Sequence, residues 1–343
     1  MTMTMMTEQT APLALVLGAS GGIGSAVAAA LVKQGWRVRA MARKPRKAAR
    51  TPGLTGVDWV RGDAMRSADV MRAAEGAELI FHGVNPPGYR NWRGRVLPML
   101  ESTIAAARAH KARIVFPGTV YNYGPDAGAV VAEDAPQNPV TRKGKLRVQM
   151  ENRLHQASVE GIPVLIVRAG DFIGGTVANN WFAQGVVTPG KPLRKITYPG
   201  RHEVGHAWAY LPDVAETFAQ LIARREELPL FARFHFNGYW FENGIDLAHA
   251  TRAAAGDDTL PIRRFPWWLI RLLSPVEETF REMLEMRYLW QRPMRLDNAK
   301  LVAFLGVEPH TPVVTGLRQV LEELDCVPAD ETLPRAARIP AAE

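Results

Sequence analysis

Three glycines near the start of the chain, Gly18, Gly21 and Gly24, have the spacing of a phosphate-binding turn. The apolar run Leu13–Leu17 precedes them, and a run of small residues that favours a helix follows. Glycine permits a tight turn and close approach of a diphosphate, and a helix N-terminus adds N–H donors and partial positive charge. A purely structural turn is the alternative, but the strand–turn–helix context favours a dinucleotide site. The residues expected to contact the dinucleotide here are Gly18, Ser20, Gly21, Gly22, Ile23 and Gly24.

The type of dinucleotide is indicated by a basic segment between residues 37 and 50, which contains no acidic residue. This segment follows the second expected strand, where the adenosine ribose lies in dinucleotide-binding folds. A carboxylate ending that strand would bind the ribose hydroxyls of NAD, but Ala42 and then Arg43 stand there. A guanidinium can hold a 2′-phosphate through two hydrogen bonds. The sequence therefore predicts NADP(H), with Arg43 on the phosphate.

The bulk properties exclude several classes of function. The chain has 343 residues and a formal net charge of +8, but no nucleic-acid-binding motif, so we expect no nucleic-acid partner. Cys326 is the only cysteine, which excludes an internal disulfide and favours a reducing, cytoplasmic location. No apolar run approaches the ~20 residues of a membrane span. No cluster of histidines and acids has the spacing of a metal site.

Apolar runs alternate with helical patterns over the first half of the chain, which indicates βαβ units and a parallel sheet covered on both faces. The expected strands are Leu13–Leu17, Arg37–Ala42, 57–60, Leu79–His82, 113–116 and 164–167, and the expected helices are 23–34, 68–74, 96–110 and 140–159. After about residue 170 the alternation breaks down, and Pro and Gly become frequent. The predicted fold is α/β, a Rossmann doubly wound parallel sheet with a smaller C-terminal α/β lobe.

The expected organisation has four parts. Residues 1–11 form a disordered tail, 12–170 mainly the NADP-binding domain, 171–327 mainly the substrate-binding lobe, and 328–343 a loose tail. The second lobe is free to return strands or helices to the first. The apolar segment 265–273 is predicted to be a core or lid helix over a pocket, and contact with a membrane surface is the alternative.

With this order of elements, residues 12–325 resemble the extended short-chain dehydrogenase/reductases of the NAD(P)-dependent epimerase/dehydratase type. The resemblance rests on the glycine loop and on Gly62-Asp63, Ile80-Phe81-His82, Tyr123-Gly124, Arg168 to Gly174, Tyr210 to Ala215 and Asp297 to Lys300. It implies cofactor contacts for Asp63, His82 and Ala169, although a buried core role is the simpler interpretation of His82. It also implies a small-molecule substrate and permits a homodimer through the helices near 96–110 and 140–159.

The chain departs from that family at the catalytic residues. Members of the family use Tyr-x-x-x-Lys on one helix face, where the ammonium lowers the pKa of the phenol that exchanges a proton with substrate. The segment aligned here, Thr141 to Lys145, keeps a lysine and lacks the tyrosine, and no Tyr-x-x-x-Lys occurs anywhere in the sequence. This pattern is similar to an atypical subgroup that lacks the catalytic tyrosine.

Three residues are the expected catalytic set: Lys145, Thr119 and Tyr121. The resemblance implies that Lys145 binds the nicotinamide ribose and that Thr119 contacts a substrate carbonyl, while Tyr121 is the candidate substitute acid. Asp171 and His206 are further pocket candidates, each more simply explained as structural. The sequence predicts an NADP(H)-dependent oxidoreductase or epimerase-like enzyme that transfers hydride to or from a carbonyl-type or sugar-nucleotide-like substrate. A catalytically silent NADP(H)-binding sensor or regulatory protein is the alternative.

Overall fold

The computed structural model describes residues 11–86, 92–175 and 180–329. The two predicted tails, 1–11 and 328–343, lie outside these residues except for positions 11, 328 and 329. Among the described residues, no helix has the length and apolar character needed to cross a bilayer. Within the same ranges, no group of three or more His, Cys, Asp or Glu residues could hold a metal ion.

The chain alternates strands and helices, and short 3₁₀ or π turns lie at 120–122, 182–186, 225–227 and 286–290. The strands are β1 (Leu13–Leu17), β2 (Arg37–Ala42), β3 (Val57–Arg61), β4 (Leu79–His82), β5 (Arg113–Thr119), β6 (Val130–Val131), β7 (Val164–Ala169), β8 (Asp171–Ile173), β9 (Ile196–Tyr198), β10 (His206–Tyr210), β11 (Phe231–His235), β12 (Tyr239–Phe241), β13 (Ile262–Arg264) and β14 (Arg295–Leu296). The helices are α1 (Gly22–Lys33), α2 (Pro45–Ala48), α3 (Ser67–Ala73), α4 (Arg93–His110), α5 (Arg142–Val159), α6 (Leu211–Ala223), α7 (Asp246–Ala255), α8 (Trp267–Leu273), α9 (Glu278–Glu285), α10 (Ala299–Leu305) and α11 (Val313–Glu323).

Seven parallel strands form the main sheet, in the order β11-β7-β5-β4-β1-β2-β3. Strand β1, next to the central strand β4, is buried along its whole length, because helices cover both faces. One apolar core joins the sheet to α1 and α6, and a second joins it to α4 and α5. This order reverses direction between β1 and β4, which places a ligand crevice at the carboxyl ends of those strands. The predicted doubly wound α/β fold is confirmed.

The second lobe is built on a small sheet, β12-β10-β8, and on the pair β13-β9. Its core contains Trp208, Trp290, Tyr198 and Phe182, all nearly or fully buried. Two elements from beyond residue 170 belong to the main sheet layer: β11 is its edge strand, and α6 packs on its face. The two parts of the chain therefore interleave. This arrangement brings β8 and β10 close to the end of β5, where the candidate catalytic residues lie.

Candidate functional site

The turn after β1 has a backbone that only glycine fits. Gly18 has φ +90°, and a Cβ there would lie 2.6 Å from the carbonyl oxygen of Gly83. A Cβ on Gly24 would lie 2.1 Å from the carbonyl oxygen of Gly18. Helix α1 then begins at Gly22 with no side-chain cap and no acid in its first turn. Its first N–H groups and its positive end are therefore available to an anion.

A cleft of about 450 Å³ lies along this turn and the ends of β2, β3 and β4. This volume is within the ~300–1,000 Å³ typical of ligand pockets. Of the predicted cofactor residues, those that line the cleft are Gly18, Ser20, Gly21, Gly22, Ile23, Arg43 and Asp63. Arg43 is exposed at the end of β2, and Ala42 stands beside it where a carboxylate would be needed for NAD. The lining therefore fits a dinucleotide with an anionic group near Arg43.

Four predicted cofactor residues lie outside the lining of this cleft: Gly24, His82, Lys145 and Ala169. His82 is 1% exposed, and its Nδ1 lies 2.7 Å from Thr103 Oγ1, whose hydroxyl donates to the Met99 carbonyl. Ala169 is buried in the core beneath the sheet. Gly83 and Val84, which follow His82 beyond the end of β4, line the cleft. The cofactor contacts expected of His82 and Ala169 stay predictions.

The burial of His82 has a measurable pH dependence. Desolvation, with repulsion from Arg147, lowers the pKa of His82 to about 3. Below pH ~6.5 the unfolded chain binds a proton that the folded chain rejects, so the free energy of unfolding falls as pH drops from 6.5 towards 3. We expect the free energy of unfolding to fall between pH 7 and pH 5 by about 2 kcal/mol less in His82→Asn than in the parent, as measured by urea denaturation at the two pH values. The control is His249→Asn on an exposed histidine; equal losses in both variants would contradict this account.

Helix α5 presents a different pair of residues from the one that the sequence alignment selected. Thr141 caps the helix, since its Oγ1 accepts the Gly144 N–H at 3.0 Å. Lys145 is exposed, whereas Lys143 is buried, and Arg147 lies within 3.5 Å of the Pro117 carbonyl at the end of β5. Helix residues four apart share a face, while residues two apart point in nearly opposite directions. The pair that faces the end of β5 is therefore Lys143 and Arg147. The predicted pair, Thr141 and Lys145, lies two residues earlier, and Lys145 is exposed.

A smaller pocket of about 110 Å³ adjoins the cleft, and Phe172 and Asn180 line both. Its ionisable lining residues are Tyr121, Lys143, Asp171 and Glu282. The Lys143 ammonium lies 3.3 Å from Glu282 Oε2. Burial lowers the pKa of Lys143, and the Glu282 carboxylate opposes that shift. The pocket thus brings a phenol, an amine and two carboxylates to the end of the dinucleotide cleft.

Tyr121, Asp171 and His206 are linked in one chain of hydrogen bonds. Tyr121 Oη donates to Asp171 Oδ1 at 3.1 Å, and Asp171 Oδ2 lies 3.0 Å from His206 Nε2. His206 Nδ1 lies 3.1 Å from the Leu289 carbonyl oxygen. The sequence indicated these residues only one by one, because Asp171 and His206 meet through the parallel pairing of β8 with β10.

Thr119, the third predicted catalytic residue, lies outside the described lining of both spaces. Its Oγ1 accepts the N–H of Tyr121 at 3.3 Å, which caps the short 3₁₀ turn 120–122. In this structure Thr119 therefore fixes the backbone of Tyr121.

Helix α9 lines the small pocket through Thr279, Glu282 and Met283, and α8 packs against α9. The lid role of residues 265–273 stays a prediction. Trp181 lines the pocket and contacts Trp267 of α8, with ring centroids 6.0 Å apart. The outer face of α8 exposes Trp268 and Leu272. Helix α9 thus forms part of the pocket wall, whereas α8 lies behind Trp181 and exposes its outer face to solvent.

Beside the pocket lies a buried ionic cluster centred on Arg168. Arg168 is fully buried, and its Nη2 lies 2.5 Å from Glu151 Oε2. The same guanidinium donates to the Tyr123 hydroxyl, which also contacts His235. Desolvation raises the pKa of Tyr123 to about 12 and lowers that of His235 to about 3, so both stay neutral at neutral pH. This cluster supports the strand ends from which the pocket residues extend.

Residues 18–173 match the family model described as NAD(P)H-binding. The curated protein YeeZ of Escherichia coli strain K12 is 26% identical over 161 residues, which is 45% of this chain and 57% of YeeZ. The match therefore spans little more than half the length of that relative.

Solved structures resemble the whole fold. A UDP-glucuronic acid 4-epimerase mutant from Bacillus cereus, in complex with UDP-4-deoxy-4-fluoro-glucuronic acid and NAD, has TM-score 0.69 and 16% identity, covering 91% of this chain and 99% of that one. UDP-glucose 4-epimerase from Bifidobacterium longum, bound to NAD+ and UDP, has TM-score 0.66 and 14% identity over 89% and 96%. A functionally unknown protein from Silicibacter pomeroyi has TM-score 0.63 and 19% identity over 90% and 98%. At such identities the likeness establishes the fold.

Proposed function

We propose that this chain, whose residues 18–173 form an NAD(P)H-binding domain on the fold of the extended short-chain dehydrogenase/reductases, is an NADP(H)-dependent oxidoreductase for a small carbonyl compound. The observation that carries the proposal is the continuity of the glycine-loop cleft with the pocket of Tyr121 and Lys143, through Phe172 and Asn180. A bound nicotinamide in that cleft would place its reactive carbon beside ionisable side chains.

The preference for NADP(H) rests on the end of β2. Arg43 is exposed and lines the cleft next to Ala42. A carboxylate at this position would repel a 2′-phosphate, whereas a guanidinium forms charge-assisted hydrogen bonds with it. When bound, NADP(H) supplies or accepts a hydride, and the protein orients it and excludes water.

The size of the pocket favours a small substrate. Its volume of about 110 Å³ is well below the ~300–1,000 Å³ of pockets for drug-sized ligands. Asn180 and Gln184 add amide groups that can hold a hydroxyl or carbonyl oxygen. The structural neighbours bind UDP or UDP-sugars according to their descriptions, but this lining better suits an aldehyde or ketone of a few carbons.

The test of cofactor choice is a fluorescence titration of NADPH and NADH into the parent protein and the Arg43→Ala variant. We expect the parent to bind NADPH more tightly than NADH. Loss of the Arg43 hydrogen bonds should weaken NADPH binding by roughly 10- to 100-fold and leave NADH nearly unchanged. Arg37→Ala, at the opposite end of β2, is the matched control. Equal losses for both dinucleotides would remove the 2′-phosphate assignment.

One observation favours an NADP(H)-binding sensor as the second candidate. Lys143 stands on the helix face where the family has its tyrosine, and it pairs with Glu282. A panel of C3–C6 aldehydes and ketones, followed by NADPH absorbance, separates the two functions. Turnover of any member eliminates the sensor, and tight NADPH binding without turnover eliminates the oxidoreductase. The homodimer and the cytoplasmic location stay proposals that rest on the sequence.

A further inference from the structure

We propose that Tyr121, Asp171 and His206 form a proton relay that serves the small pocket in place of the missing tyrosine–lysine pair. The inference rests on the proposed function, because it requires a substrate oxygen next to Tyr121. Tyr121 is then the catalytic residue that touches substrate, and His206 is the positioning residue that holds the proton behind it.

The hydrogen-bonding partners of His206 limit where its protons lie. The Leu289 carbonyl can only accept, so Nδ1 of His206 must carry a hydrogen. Asp171 Oδ1 accepts the Tyr121 hydroxyl, and Oδ2 faces Nε2 at 3.0 Å. If Asp171 accepts at both oxygens, Nε2 must carry a hydrogen as well; a hydrogen on Oδ2 that is donated to Nε2 is the other arrangement that fits the contact. The relay takes the first arrangement, with a hydrogen on both ring nitrogens of His206, and the NMR experiment below distinguishes the two.

The surroundings of His206 keep this proton away from bulk solvent. The side chains of His206 and Asp171 are only 6% and 4% exposed. The imidazole stacks on the indole of Trp290, with centroids 4.0 Å apart and planes within 8°. The face of an indole stabilises an adjacent cation. Tyr121, which lines the pocket, is consequently the hydrogen-bonded route between the stored proton and a substrate.

The proton and electron balance of a reduction follows from these contacts. The carbonyl carbon gains a C–H bond from hydride, and the C=O bond becomes C–O as the dinucleotide is oxidised. The carbonyl oxygen takes the Oη proton of Tyr121. The Asp171 carboxylate takes the Nε2 proton of His206 at Oδ2, and the carboxyl group then turns to give that proton to the Tyr121 oxygen. His206 ends neutral, with its Nδ1–H still donated to Leu289. Its unprotonated Nε2 then faces the Asp171 carboxylate, a contact between two acceptors that favours reprotonation of His206 before the next turnover.

Two other groups near the relay could compete as the proton donor. Lys143 lines the same pocket, but its ammonium pairs with Glu282. Tyr288 donates its hydroxyl to the Tyr123 carbonyl at 2.8 Å, and burial raises its pKa. The geometry favours Tyr121 because, of these three residues, it is the one whose hydroxyl is hydrogen-bonded to Asp171, and through Asp171 to His206.

The first experiment does not depend on turnover. Full-length protein with ¹⁵N-labelled histidine and saturating NADPH is studied by NMR at pH 7, and His206→Gln identifies the signals of His206. We expect both ring nitrogens of His206 to carry hydrogen in the parent. Asp171→Asn should leave hydrogen only on Nδ1. A parent His206 with one N–H would overturn the relay.

The second experiment uses the carbonyl that the panel identifies. Tyr121→Phe should lower kcat by at least ~100-fold, the usual contribution of a general acid. His206→Gln should also lower kcat strongly and leave KM and NADPH affinity nearly unchanged, which a merely structural role would not do. His202→Gln, on an exposed histidine, is the matched control. The relay is overturned if Lys143→Met abolishes turnover while Tyr121→Phe retains it. If no carbonyl is reduced, the proposed function fails, and the His206 spectra alone decide the protonation of the relay.

Discussion

Replacement of Arg168 by methionine is expected to lower the free energy of unfolding by about 3–5 kcal/mol. Arg168 is fully buried, and Glu151 is 2% exposed. The guanidinium donates to both carboxylate oxygens of Glu151 and to the Tyr123 hydroxyl. Methionine matches much of the apolar volume but leaves the Glu151 charge buried, with a hydrogen bond from the Asn122 amide and the Arg233 guanidinium 4.0 Å away. Urea denaturation at pH 7 measures the loss.

The matched comparisons separate an uncompensated charge from lost packing. The double variant Arg168→Met with Glu151→Leu removes both charges, and we expect it to recover most of the stability that the single variant loses. Arg108→Met breaks the partly exposed pair with Glu160 and should cost less than about 1 kcal/mol. If the double variant is no more stable than Arg168→Met, the cluster contributes through shape rather than charge.

Gly24→Ala is expected to abolish tight cofactor binding, with NADPH affinity lowered by at least ~100-fold. The added Cβ would lie 2.1 Å from the carbonyl oxygen of Gly18 and 2.7 Å from its carbon. Both are backbone atoms, so α1 must move away from the turn. Its N–H groups then no longer point at the diphosphate oxygens with hydrogen-bonding geometry. Loss of two charge-assisted hydrogen bonds accounts for that magnitude. The NADPH titration measures it, and urea denaturation should show about 1–3 kcal/mol of destabilisation.

The same turn provides a control in Gly22→Ala. Here the nearest atom to a new Cβ is Leu211 Cδ1 at 3.4 Å, an ordinary contact with a movable side chain. We expect its stability to stay near that of the parent. If Gly22→Ala weakened NADPH binding as much as Gly24→Ala, crowding of the diphosphate would explain the loss, and helix displacement would not.

Local sequence patterns were sufficient for the sheet and for the phosphate-binding turn. Each of the six strands expected in the first half forms, because an apolar run between two helical patterns has no other stable position. Strands β5 and β7 extend further than expected, since Thr119 pairs with Ala169 beyond the apolar run. Strand β11 was not anticipated, because its place depends on pairing with β7 rather than on its own pattern.

The catalytic region could be predicted only in part. The sequence predicted the helix that carries Lys143 and Lys145. It did not predict which of the two side chains is buried, because that depends on where the cap at Thr141 begins the helix. His82 is buried, as the simpler interpretation of the sequence expected, and its cofactor contact stays a prediction. The link between Asp171 and His206 arises from strand pairing in the second lobe. A contact between distant segments leaves no local signal in one sequence.

The aromatic cluster under α8 gives the protein an internal optical reporter. Trp181 lies on the pocket wall and within 5.3 Å and 6.0 Å of the ring centroids of Trp290 and Trp267. Indole emission shifts with the polarity around the ring. A molecule that enters the small pocket changes the surroundings of Trp181, whereas Trp181 is not among the residues that line the cleft. Occupancy of the two spaces can therefore be followed separately by intrinsic fluorescence, with Trp181→Phe identifying the contribution of the pocket.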